Sequence, residues 1–224
     1  MDNDPAVWQV AFFLMGAYLL GSIPSAYLAG RWLKGIDVRD YGTGNVGGSN
    51  VYHSVSRWAI VPVAIFDIGK AAFAAWLALY MLEWGPGLAM AAGLCVFAGH
   101  TWSIFLGFKG GRGLSCVGGT LLVAFPWGGL ILIVLVLLGV LLKNTVTTTI
   151  ALLLMPLISV AFGEPAAVTW GCVAFILLTA IKRLEGNRVP LPAGKERWPV
   201  VWRRLWLDRD IADHKEWLAR RPEA

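Results

Sequence analysis

LSCVGGTLLVAFPWGGLILIVLVLLGVLL, residues 114–142, decides how this chain folds. The stretch is uncharged throughout, and it is longer than the roughly 20 apolar residues that one bilayer-crossing helix needs. Phe125-Pro126-Trp127-Gly128-Gly129 interrupts it. Proline has no N–H to give a helix ladder, and paired glycines favour a turn. The run therefore reads as two short spans, about 114–125 and 128–142, joined by a tight turn.

Outward from this stretch the same reading recurs. Ala6 to about Leu28 forms a first span, about Val55 to Leu82 a second with Asp67 and Lys70 inside it, and Gly87 to about Phe105 a third. After the split pair, Thr149 to Phe162 is a short span, Gly163-Glu164-Pro165 turns the chain, and Ala166 to Ile181 returns. The short spans fit a bilayer if they tilt or if it thins around them. Of the 224 residues, 57% are hydrophobic and only 15% charged, with mean hydropathy +0.64. Soluble domains average roughly 45–50% apolar. The expected fold is therefore all-α, an integral membrane bundle of seven transmembrane helices over residues 1–185, with a basic, Trp-rich tail over 186–224.

Charge placement orients the bundle. With the N-terminus outside, the inner loops hold Arg31, Lys34, Arg39 and Arg57, then Lys109 and Arg112, then Lys143, then every Lys and Arg from Lys182 to Arg221. The outer segments hold Asp2, Asp4, Glu83 and Glu164. This is the positive-inside bias, and five or six spans would put basic loops on both faces. The C-terminus is expected in the cytoplasm. The acidic N-terminus and long first apolar run do not resemble a cleaved signal. No internal repeat is visible. The three cysteines, Cys95, Cys116 and Cys172, are widely spaced in apolar runs and read as small packing residues, not as a disulfide or zinc pattern.

Two polar loops stand out on the inner side: Tyr41-Gly42-Thr43-Gly44-Asn45-Val46-Gly47-Gly48-Ser49-Asn50 and Phe108-Lys109-Gly110-Gly111-Arg112-Gly113. Glycine lets backbone N–H groups converge on an anion. In the second loop two cations flank glycines just before a helix start at Leu114, so N–H groups, helix dipole and side chains can meet on one phosphate. His53 reads either as a weaker phosphate contact or as an exposed loop residue. Thr147 belongs to a polar run, Asn144 to Thr149, whose hydroxyls either touch substrate or cap a helix. Asp67 and Lys70, three apart on one helical face, must point inward. They either neutralise each other or line an active cavity. His100 is a structural hydrogen bonder or a site residue. In the tail, Trp198, Trp202, Leu205 and Trp206 share a helical face beside Arg203 and Arg204, and a short helix over Ile211–Arg220 is expected to follow. The tail either lies in the headgroup region or packs on the bundle. No His is followed five residues later by Asp, and no Asp-rich pair, Walker loop or His/Cys cluster is present.

Gly21-Ser22-Ile23-Pro24, the Tyr41–Asn50 loop, Gly99-His100 and the Phe108–Gly113 loop follow in an order and spacing that resemble the bacterial acyl-phosphate:glycerol-3-phosphate acyltransferases, the PlsY family, from about Gly16 to Leu184. The resemblance implies a seven-helix inner-membrane enzyme with its active site facing the cytoplasm. It implies transfer of a fatty acyl group from acyl phosphate to the 1-hydroxyl of sn-glycerol 3-phosphate, in phospholipid synthesis. It implies no cofactor, no metal and no nucleic-acid partner, with membrane lipids and the two substrates as the molecules met. It makes Thr43, Asn45, Lys109, Arg112 and His100 the catalytic set. Substrate binding falls to Ser22, Gly44, Gly47, Ser49, Asn50, His53, Gly110, Gly111, Gly113 and Thr147. Departures are visible: His53 stands where the family often has arginine, Ser103 where it has proline, and Leu177 to Ala180 lack the family's His and Asn. A transporter of phosphate or a small organic anion, and a silent scaffolding relative, are the competing readings.

Overall fold

The computed structural model describes residues 5–142, 144–186, 190–211, 213, 216 and 217. Asp2, Asp4, Lys143, several tail cations and most of the helix expected over Ile211–Arg220 lie outside the described residues. Among the described residues, ten α-helices follow one another: α1 Val7–Ser22, α2 Ser25–Lys34, α3 Gly48–Ser54, α4 Ile60–Trp76, α5 Gly85–Thr101, α6 Leu114–Ala124, α7 Pro126–Leu141, α8 Thr145–Ala161, α9 Ala166–Glu185 and α10 Arg197–Leu207. No strand occurs among the described residues.

The decisive apolar run breaks where proline requires it. Phe125 leaves the helix at φ −151°, and Pro126 opens α7, where its missing N–H costs no bond. Among the described residues, four helical stretches, Val7–Lys34, Ile60–Met81, Gly85–Leu106 and Ala166–Glu185, are long and apolar enough to cross a membrane. Leu114–Ala124, Pro126–Leu141 and Thr145–Ala161 are apolar but shorter.

Boundaries differ from the sequence reading: α5 ends at Thr101 and not near Phe105, α8 starts at Thr145 and not Thr149, and α9 runs past Ile181 to Glu185. The first expected span, drawn through Leu28, is broken at Ile23-Pro24, because proline forces the residue before it out of the helical region: Ile23 sits at ψ 114°. The second starts later than Val55. A separate short helix, α3, ends at Ser54, and α4 begins at Ile60. Its far end relaxes into a π turn, Leu77–Met81.

Glycines bring the helices together. An added Cβ on Gly21 would collide with the Val96 backbone, one on Gly99 with the Tyr18 carbonyl, and one on Gly119 with the Ile68 carbonyl. These contacts set α1 against α5 and α4 against α6 at backbone distance. Small residues at helix interfaces allow this where lipid removes the usual hydrophobic drive. The interior is filled by Ala71, Ala75, Ala89, Ala92, Phe97, Phe125 and Phe175, while Val134, Leu137, Val140, Leu157 and Trp170 face outward. Cys116 and Cys172 are buried and unpaired, Cys95 partly so.

The contacts also fix direction. Phe13 of α1 packs on Trp84 before α5, whereas Ser22 at the end of α1 meets Ser103 after α5. α9 begins near Gly87 and ends beside Trp102. α6 starts against Phe97 and passes Gly93 in the opposite sense. The ends of α1, α5 and α9, the starts of α4 and α6, and both glycine-rich loops therefore gather at one end of the bundle.

Candidate active site

The Tyr41–Asn50 loop is closed from within by Asn50. Its buried Nδ2 donates to the carbonyls of Val38 (2.6 Å), Tyr41 (3.0 Å) and Asn45 (3.0 Å). Its Oδ1 accepts from the Thr43 N–H (3.3 Å) and the Ser54 hydroxyl (3.1 Å). Thr43 Oγ1 accepts from the Asn45 N–H at 3.2 Å. Gly42 and Gly44 take φ of 52° and 71°, which glycine alone adopts without strain. Asn50, expected to bind substrate, is turned inward to staple the loop. Thr43 and Asn45 are buried beside it, whereas Ser49 and His53 are exposed on α3. Arg39 fastens the loop to the rest: it pairs with Asp37 at 2.7 Å and donates to the Leu106 carbonyl at 3.2 Å. The Arg39 hydrogen bonds hold the Asp37 carboxyl below its usual range.

The second loop folds back on the end of α5. The Gly110 N–H donates to Thr101 O (3.1 Å) and the Gly111 N–H to His100 O (3.0 Å). Those donors are therefore used by the backbone and do not aim at an anion, as the sequence had led one to expect. The glycines serve close approach instead. A Cβ on Gly111 would strike both the His100 ring and the Val46 carbonyl, and one on Gly113, at φ 75°, would strike the Phe97 ring. Val46 belongs to the first loop and Gly111 to the second, so the two loops meet at this point. Gly47 stays open on the side a Cβ would occupy.

Beneath this junction lies a buried ionic cluster. Lys70 Nζ is 2.8 Å from Asp67 Oδ1 and 3.1 Å from His100 Nδ1, and it donates to the Gly21 carbonyl at 2.9 Å. Ser25 Oγ donates to Asp67 Oδ1 at 2.9 Å. Both charged residues point inward, as their spacing required. The cluster ties α4 to the break between α1 and α2, and His100 joins it to Gly111. His100 is thus a bridge between the ionic cluster and the loop junction. Ser22 is buried, its hydroxyl unpartnered among the described residues, and its carbonyl accepts from Ser103 Oγ at 2.6 Å. A hydroxyl at position 103 thereby ties the end of α5 to α1.

Cations line the rim. Lys109 is exposed. Arg112 Nη1 donates to the Lys182 carbonyl (3.0 Å), and its Nε lies 3.0 Å from Asp208 Oδ1. Arg183, one residue beyond the fully buried Lys182, is itself buried and donates to Thr149 Oγ1 at 2.9 Å. Thr147 stands apart from the loop junction, packed towards Gly139 of α7. Among the described residues, no three His, Cys, Asp or Glu side chains form a group that could hold a metal.

The family model described as "Glycerol-3-phosphate acyltransferase" matches residues 11–188, which is most of the chain and runs from within α1 to beyond the end of α9. The chain belongs to the glycerol-3-phosphate acyltransferase family. Glycerol-3-phosphate acyltransferase 4 of Dehalococcoides mccartyi (strain CBDB1) is 34% identical over 218 residues, covering 92% of each chain. The glycerol-3-phosphate acyltransferase of Parasynechococcus marenigrum is 37% identical over 199 residues, covering 86% of this chain and 91% of that one. The crystal structure of PlsY (YgiH), an integral membrane glycerol 3-phosphate acyltransferase, in its glycerol 3-phosphate form superposes with a TM-score of 0.71 at 28% identity, covering 79% of this chain and 89% of that one. Its lysophosphatidic acid form gives 0.70 at 27%.

This acyltransferase is accordingly a multi-pass membrane protein. The sequence pointed to Arg112 but not to Arg183 or Asp208 beside it. Arg183 sits in a Lys-Arg pair that reads as ordinary positive-inside charge, and the sequence leaves open whether the tail packs on the bundle.

Proposed function

We propose that this chain transfers a fatty acyl group from acyl phosphate to the 1-hydroxyl of sn-glycerol 3-phosphate, giving lysophosphatidic acid and inorganic phosphate. The observation that carries the reading is the meeting of the two glycine-rich loops at Val46 and Gly111, with Arg112 next in sequence. Two phosphate groups must come together for this reaction, and their repulsion must be offset. Lys109 and Arg112 supply the positive charge, and Thr43 and Asn45 shape the facing wall. Asn50, Asp67, Lys70 and His100 hold these parts in register without needing to touch substrate.

The substrate hydroxyl oxygen attacks the acyl carbonyl carbon, and the bond from that carbon to the phosphate oxygen breaks. The electron pair leaves with phosphate, which also takes the hydroxyl proton. Acyl phosphate is already activated, so positioning and electrostatic stabilisation are the main demands on the protein.

The basic ends gathered at one face support seven crossings, with the N-terminus outside and the site facing the cytoplasm of a bacterial inner membrane. The acyl chain enters sideways from the bilayer among the short helices α6, α7 and α8. The test is substitution in the rim. Arg112→Ala is expected to lower the rate of acyl transfer to glycerol 3-phosphate by roughly 10²–10³-fold, the loss typical of removing a group that stabilises developing charge. Lys109→Ala is expected to lower it in the same direction. Wild-type turnover in both variants would reduce the basic loop to a membrane anchor.

A further inference from the structure

α10 returns to the bundle and seats a carboxylate between two guanidiniums. Asp208 ends the helix in the left-handed region, at φ 54°. Its Oδ1 lies 3.0 Å from Arg112 Nε and 3.7 Å from Arg183 Nε. Arg112 comes from the loop before α6 and Arg183 from the end of α9, so only the fold brings them together. Charge holds this contact, not directional bonding. Among the described residues, Asp208 Oδ1, Arg112 Nε and Arg183 Nε are all buried without an aligned hydrogen bond. A phosphate carries more charge and more acceptor oxygens in a tetrahedral arrangement, and it can satisfy both guanidiniums where one carboxylate does not.

The same helix roofs a cavity of about 210 Å³ between α8 and α9, walled by Leu152, Ile176, Ala180 and Trp206, with Arg183 at its polar end. Thr179 also lines it, and its buried hydroxyl has no partner among the described residues. An apolar wall with one free hydroxyl and a cation is the complement of an amphiphile with an anionic head. Moving α10 uncovers the cavity and the guanidinium pair together. Arg183 would then lose the lid's Leu205 carbonyl and the Asp208 carboxylate, keeping Thr149. The lid is latched elsewhere: the fully buried Arg204 donates to Asp210 Oδ1 and to the Leu184 carbonyl, each at 2.6 Å.

We propose that Arg183 is the second cation of a phosphate site shared with Arg112, and that Asp208 plugs this site until the phosphate of an acyl phosphate displaces it. The inference rests on the acyl-transfer reading for the identity of the phosphate, but not for the plug itself.

Asp208→Asn removes the charge while keeping shape, and asparagine tolerates the left-handed backbone. Full-length wild type and the variant, in detergent, are titrated with inorganic phosphate by calorimetry and assayed with palmitoyl phosphate and glycerol 3-phosphate. If the plug is closed about nine-tenths of the time, its loss tightens phosphate binding about tenfold. The expected result is that tightening, a matching fall in KM for palmitoyl phosphate, and kcat within about twofold. Arg183→Gln in the Asp208→Asn background is expected to reverse the gain. Arg204→Gln, which loosens the latch and leaves the phosphate site untouched, is expected to act in the same direction as Asp208→Asn. Unchanged or weaker phosphate binding in Asp208→Asn and Arg204→Gln overturns the plug. So does a fall in kcat at constant KM, which would make Asp208 a positioning residue for Arg112. Tighter phosphate binding without any acyl transfer by either protein would sustain the plug and overturn the acyl-transfer reading. Acyl transfer with unchanged phosphate binding would do the reverse.

Discussion

Asn50 and Lys70 each hold backbone carbonyls close to the place where the two loops meet. Asn50→Asp keeps the size of the side chain but cannot donate, so the carbonyls of Val38, Tyr41 and Asn45 each lose the Asn50 hydrogen bond. Each lost hydrogen bond costs about 0.5–1.5 kcal/mol, and the variant is expected to melt below wild type in detergent, together with Asn50→Ala. Unaltered melting of Asn50→Asp would refute the staple. Lys70→Met leaves Asp67 buried without its cation and is expected to cost about 3–5 kcal/mol, with the double variant Asp67→Asn/Lys70→Met recovering a large part of it. A double variant no more stable than Lys70→Met would show that the pair is not what holds this region. The inward direction of Asp67 and Lys70 was legible from their spacing, because a bilayer leaves such charges nowhere else to go. The inward turn of Asn50 was not. A polar residue in a glycine-rich loop looks the same in sequence whether it faces a ligand or its own backbone, and only the loop's closure decides which.

At the scale of elements, the close helix pairs make a graded prediction. Gly99→Ala and Gly119→Ala each place a methyl group against a backbone carbonyl that cannot move aside, and Gly16→Ala meets nothing within 4 Å. The first two are expected to destabilise by about 1–3 kcal/mol or more, read as a fall in melting temperature. Gly16→Ala is expected to be neutral or slightly stabilising. Equal behaviour of all three would mean that α1 and α5, and α4 and α6, do not approach as described. Helix boundaries were readable where proline meets an unbroken apolar run, as at Phe125-Pro126. They were misread at Ile23-Pro24, where Ala26, Tyr27 and Leu28 continue the apolar pattern past the break. α3 was hidden inside the polar loop because seven residues following a glycine-rich stretch carry no periodic signal. In α10, Trp198 and Trp202 are exposed, as a headgroup-facing stripe requires, while Arg204 is buried against the end of α9 and donates to the Leu184 carbonyl.

For the molecule as a whole, the proposed topology and chemistry stand or fall together, since the proposal puts the end where the loops meet on the cytoplasmic side. Ser49 and Ala166 are exposed near opposite ends of the bundle. In a Cys95→Ala background, Ser49→Cys is expected to react with a membrane-impermeant maleimide only from the cytoplasmic side, and Ala166→Cys only from the other. Labelling of both from one side would break the seven-crossing arrangement. Acyl transfer itself is tested by turnover of the purified full-length protein, supplied with palmitoyl phosphate and labelled glycerol 3-phosphate. Labelled lysophosphatidic acid and inorganic phosphate are expected in equal amounts. Absence of labelled lysophosphatidic acid, with a known family member active alongside, would contradict the acyl-transfer reading.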